Sequence, residues 1–201
     1  MTRRWIVFLL GCAAAVPTAA SAEAPGEQPA ARLYARGLAG DPQAVIDCIA
    51  ALEQELATAP ENQLARVYLG SAYTLRSRDL GFGKAKLEAL RKGTALMDAA
   101  AAAAPQDARV QLARAVTNQA LPVFLGRRGA ARAQLDELIV QVEKNPEKLS
   151  PTNRQLLYLN AGQAARRAGE KARAMELWQR GLTIKADVKL TAEIETALAS
   201  L

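Results

Sequence analysis

The stretch Gln155–Ala186, read as QLLYLNAGQAARRAGEKARAMELWQRGLTIKA, constrains this chain more than any other. Leu156, Leu159, Gly162 and Ala165 recur at spacings of three, which draws one apolar or small stripe along a helix. Beyond Gly169, the residues Ala174, Leu177, Trp178, Gly181 and Leu182 follow at threes and fours. Gly169 can adopt the positive φ that ends a helix cheaply, and Glu170 then lies near the positive end of the next helix dipole. The spacing therefore predicts two antiparallel helices. Gly162 and Ala174 let their backbones approach, and Trp178 fills the wedge between them. A pair this short is marginal alone in water, so neighbouring hairpins must bury its outer faces.

Composition agrees with packed helices. Half the residues are hydrophobic, yet only 4% are aromatic, and alanine dominates where a β-sandwich would want valine, isoleucine and tyrosine.

Six residues of the stretch stand in a particular order: Tyr158, Gly162, Gly169, Ala174, Trp178 and Gly181. In that order the segment resembles a tetratricopeptide repeat, with Tyr158 and Trp178 at its aromatic places and Gly162, Ala174 and Gly181 at its small ones. It departs from the pattern at Ala165, which replaces an aromatic, and at Ala186, which replaces the terminating proline. The resemblance implies an all-α fold, a right-handed superhelical array of antiparallel helix hairpins. About four hairpins and a C-terminal capping helix are expected over residues 31–201.

Upstream, Leu33–Ala39 and Gln43–Thr58 read as a first helix pair, broken at Gly40-Asp41-Pro42 and ended by Pro60. In the next unit, Tyr68-Leu69-Gly70 and Tyr73 resemble the first-helix motif, and Gly93, Met97, Ala100 and Pro105 repeat the second-helix spacing. The extra residues Ser77–Leu87 are expected to form a loop plus added turns on the second helix. In the third unit, Leu112, Ala113 and Val116 line a helix that Pro122 should end. Leu135, Leu138, Ile139 and Val142 line its partner, and the insertion Pro122–Arg128 is expected to tuck Phe124 and Leu125 underneath. Ser150-Pro151 starts the fourth hairpin, and Leu190, Ile194, Ala197, Leu198 and Leu201 give a final helix its apolar face.

The N-terminus reads as an export signal. Arg3 and Arg4 precede an apolar run from Trp5 to Val16, and Ala20-Ser21-Ala22 offers a cleavage site. This gives a signal at 1–22, a flexible lead-in at 23–30 and an exported, periplasmic chain. The alternative is a lipoprotein anchored at Cys12, from Leu9-Leu10-Gly11-Cys12. After cleavage no membrane span is expected. The formal charge falls from +6 to about +4 as Arg3 and Arg4 leave, which fits acidic partners or an anionic membrane surface without proving either. Cys48 is then the one remaining cysteine, on an apolar face with Val45, Ile49 and Leu52, where a small buried thiol fills a gap.

Chemistry is sparse. The chain has no histidine, which removes His-based catalysis and His metal sites. It carries no Walker A or dinucleotide glycine signature. Basic runs interleaved with aromatics are missing too, which argues against nucleic acid. No enzyme, cofactor or metal is expected. The leading expectation, implied by the tetratricopeptide resemblance, is a scaffold that binds a partner peptide or protein along its first helices. Arg114, Thr117 and Asn118, then Asn160, Gln163 and Arg166, would offer polar groups to it. A structural accessory subunit of a cell-envelope assembly, using its insertion loops, is the competing expectation. A carboxylate-dependent cell-wall enzyme is a more remote one.

Overall fold

The computed structural model describes residues 29–201. The signal segment, Cys12 and all but the end of the lead-in lie outside them. Among the described residues the order is α1 (Pro29–Leu38), α2 (Pro42–Thr58), α3 (Gln63–Asp79), α4 (Lys84–Ala103), α5 (Ala108–Ala120), α6 (Arg128–Lys144), α7 (Pro151–Arg167), α8 (Lys171–Ile184) and α9 (Val188–Ala199). Consecutive helices pack as hairpins α1/α2, α3/α4, α5/α6 and α7/α8, with α9 against α7 and α8. The all-α array of four hairpins and a last helix is therefore what forms. Its first helix starts at Pro29 rather than Leu33, so the lead-in ends inside α1, where proline's missing N–H does no harm.

Three joints between hairpins share one geometry. Ala59, Ala104 and Asn145 leave their helices at φ −134°, −127° and −142°. Each precedes a proline (Pro60, Pro105, Pro146), whose ring excludes the helical conformation from the residue before it. Asn62, Asp107 and Ser150 then cap α3, α5 and α7 by accepting a first-turn N–H at 2.9–3.2 Å. Every odd-numbered helix touches the next odd-numbered one, whereas the even-numbered helices do not pack on one another to a comparable extent. The odd-numbered helices thus form the row that packs from hairpin to hairpin. Long side chains bridge α6 to α8 and its N-cap, through Arg132–Glu170, Asp136–Arg173 and Glu143–Arg180.

Both insertions differ from expectation. In the second unit α3 runs nine residues past Gly70, and α4 starts nine before Gly93, leaving only Leu80–Gly83 as a link. The added turns are thus shared by both helices. In the third unit Pro122 does end α5, and a 3₁₀ turn, Val123–Leu125, leads to Gly126 at φ 68°. Phe124 does not tuck under it, the ring being 82% exposed, while Leu125 is half-buried and Leu121, just before the turn, is buried.

Packing in the fourth hairpin follows the sequence pattern closely. Trp178 is fully buried and donates its indole N–H to the Leu159 carbonyl at 3.0 Å. A Cβ on Gly162 would lie within 3 Å of three atoms of that indole ring. Cys48 is also fully buried, and burial pushes its thiol up to about 11, as an inert space-filling group requires.

Candidate partner-binding groove

The six residues expected to face a partner separate into two groups. In the α5 group, Arg114 and Thr117 are committed internally and Asn118 is buried. Arg114 donates to Asp98 of α4 at 2.9 Å and to Gln134 of α6 at 3.0 Å, and Arg127 grips the same Asp98 at 3.0 Å. Partial burial works against the Asp98 carboxylate, but the two guanidinium groups outweigh it and hold its pKa below the usual range. Arg114 is therefore a tie between two hairpins.

Thr117 and Asn118 do not reach solvent to any useful extent, at 9% and 2% exposure. Thr117 donates to the Ala113 carbonyl at 2.9 Å, so its oxygen accepts from Ser71 of α3 at 2.7 Å, and Ser71 in turn accepts from the Tyr34 hydroxyl of α1. Three hydroxyls thus form a one-way chain across α1, α3 and α5. Burial above all pushes the Tyr34 phenol up to about 12, so it stays the neutral donor that the chain needs. The expectation of an open face failed here because α5 is packed on several sides, not along one stripe.

The α7 group behaves differently. Asn160 is half-buried and returns its amide to the Leu156 carbonyl at 2.9 Å. Gln163 and Arg166 open onto a cleft of about 440 Å³ between α7 and α9. Arg166 lies 5.6 Å over the Trp178 ring and donates to the Ser200 hydroxyl at 2.6 Å. The opposite wall comes from α9: Lys189, Glu193, Thr196 and Ser200, with Ala192 and Ala197 between them. Sequence reasoning treated α9 as a cover and missed this wall. Its signal was present, since those four polar residues recur at four, three and four, opposite the apolar face anchored by the fully buried Ile194.

A buried glutamine sets the position of that wall. Gln155 accepts from the backbone N–H groups of Ala186 and Asp187 at 3.2 and 2.9 Å, and donates to Thr191 at 2.9 Å. Lys185 turns the chain at φ 50°, the one positive φ outside glycine among the described residues. The departure from the repeat pattern at Ala186 now has a physical reason. A proline there has no N–H to give to Gln155.

No protein-family model and no curated protein matches the chain. Among solved structures it is similar to the crystal structure of TTC0263, a thermophilic TPR protein of Thermus thermophilus, at 19% identity and a TM-score of 0.59. The match covers 85% of this chain and 91% of that one, and it establishes a tetratricopeptide-repeat-like fold.

Proposed function

We propose that the chain is an exported scaffold that holds an extended segment of a partner protein or peptide in the cleft between α7 and α9. One observation carries this reading. Of the first-helix polar groups, Arg114 and Thr117 of α5 are spent on the protein's own contacts and Asn118 is buried, while Gln163 and Arg166, the latter also bonded to Ser200, face an open cleft with Lys189 and Glu193 opposite. Such a cleft supplies an alanine floor for apolar side chains and donors at the rim for carboxylate or carbonyl oxygens. The tetratricopeptide-like fold supports the same role by analogy. The signal read at 1–22 supports a partner in the cell envelope.

The test is capture from an envelope extract with a photo-crosslinking residue at Gln163 or Thr196, and at Val140 on α6 as control. Links to one partner should form from the cleft positions alone. Arg166→Glu with Lys189→Glu should weaken capture about tenfold or more, with helical circular dichroism unchanged. Undiminished capture by that variant excludes the cleft. The competing accessory-subunit reading is favoured by the bare phenylalanines of the two insertions, and links from Phe82 and Phe124 to a protein would select it.

A further inference from the structure

Because the odd-numbered helices all run the same way, every turn inside a hairpin falls on one edge of the array, and every joint between hairpins falls on the other. The two edges differ sharply in charge. The four turns with their flanking helix ends (35–45, 76–87, 117–131 and 164–174) hold eleven Lys or Arg against three Asp or Glu. The four joints (55–66, 100–111, 141–154 and 181–191) hold seven against six.

Exposed apolar side chains crowd onto the same turn edge: Leu38, Phe82, Leu87, Val123 and Phe124. Phe82 is completely bare, on a four-residue link with Gly81 before it and Gly83 after it, at φ 144°. Phe124 rides the 3₁₀ turn of the neighbouring hairpin. No aromatic residue lies in the joint segments.

A second cleft, about 270 Å³, opens at this edge between the third and fourth hairpins. Arg128, Arg132 and Arg167 line it together with Val123 and Gln119. Arg132 is paired with Glu170 at 2.5 Å, Arg128 donates to the Leu121 carbonyl, and Arg167 donates to Gln119. Among the described residues no carboxylate lines the cleft itself. Burial first, then the neighbouring Arg128 and Arg166, lower the Arg167 pKa.

We propose that this edge rests on an anionic phospholipid bilayer, with Phe82 and Phe124 seated at the headgroup–acyl boundary and Arg128, Arg132 and Arg167 on lipid phosphates. No helix among the described residues is long and apolar enough to cross a membrane, so the contact is made at the surface. A bilayer suits this edge better than an acidic protein does. Each phenylalanine stands proud on a narrow turn, and a rigid partner would need a separate matching socket for each. Fluid lipid opens around both, and scattered cations gain from an anionic surface without fixed partners.

The test is sedimentation of the full chain with vesicles of phosphatidylglycerol and phosphatidylcholine, and with phosphatidylcholine alone. The apolar segment of residues 5–16 is common to every variant, so differences between them report on the edge. The parent should prefer the anionic vesicles, and Phe82→Ser with Phe124→Ser should weaken binding about tenfold. Lys84→Gln, at an exposed ammonium loosely paired with Glu88 at 3.5 Å, should weaken it about fivefold. A tryptophan at Phe82→Trp should be quenched by brominated acyl chains, beyond the background of the parent. Equal binding to neutral vesicles, an unchanged double serine variant, or an unquenched Phe82→Trp overturns the proposal. So does full competition by millimolar inorganic phosphate with no dependence on the phenylalanines, which would mean a free-anion site. Cross-links from both loops to an acidic protein, without vesicle binding, overturn it in favour of that partner.

Discussion

The second and fourth hairpins bring their helices together at the same place in the repeat and do it in opposite ways. In α3/α4 the meeting point is Gly70 against Gly93. A Cβ on either would lie 2.6 Å from the carbonyl oxygen of the other, so backbone touches backbone, with Met97 Cγ beside it at 2.7 Å from the Gly70 position. In α7/α8 a glycine faces a tryptophan, and the indole of Trp178 occupies the room that Gly162 vacates. One hairpin closes on paired main chain, the other on a single large ring. A glycine spacing in sequence therefore marks closeness without saying what fills it.

The contrast can be broken at its largest contact first. Trp178→Ala removes a fully buried ring and its hydrogen bond, and should cost roughly 3–5 kcal/mol in a urea melt. A near-unchanged melting curve would mean that the inner face of α8 lies elsewhere. Next, Gly70→Ala and Gly162→Ala should each destabilise by up to about 3 kcal/mol, because neither obstacle yields easily. They differ in what rescues them. On a Trp178→Ala background Gly162→Ala should be almost neutral, whereas on a Met97→Ala background Gly70→Ala should keep much of its cost, since the Gly93 carbonyl there is main chain. Additive losses at 162 and 178 would remove the distinction between the hairpins.

The smallest effect concerns the hydroxyl chain. The Tyr34 phenol titrates near 12 in the folded protein and near 10 when unfolded. Its contribution is fully present below about pH 10 and is lost as pH rises from there through about 12, at most about 1.4 kcal/mol per pH unit. Alkaline melts of Tyr34→Phe should lack that portion of the loss. Parallel curves for parent and variant would show that the phenol titrates freely.

Large residues made the fold legible in the sequence. Trp178, Leu177 and Ile194 sit where their periodicity placed them, and Pro60 ends its unit as read. Polar residues were harder to place. Nothing in the pattern around Leu112, Ala113 and Val116 said that Thr117 and Asn118 would be buried, because their burial depends on partners in other hairpins such as Ser71. Phe124 erred the other way. Hydrophobicity argued for cover, but a three-residue turn leaving through Gly126 lies beyond the helices that would supply it. Half of the candidate groove was readable, at Gln163 and Arg166. The other half waited on knowing that the last helix stands opposite α7.

The way that last helix is attached has a bearing on recognition. Three joints are set by a pyrrolidine ring, a covalent constraint that no neighbour can retune. The fourth is set by one amide of Gln155 reaching across to two main-chain hydrogens. The aperture between α7 and α9 thus hangs on a noncovalent hinge pin. Its width can be adjusted by a side chain one methylene longer or shorter, without disturbing the rest of the array.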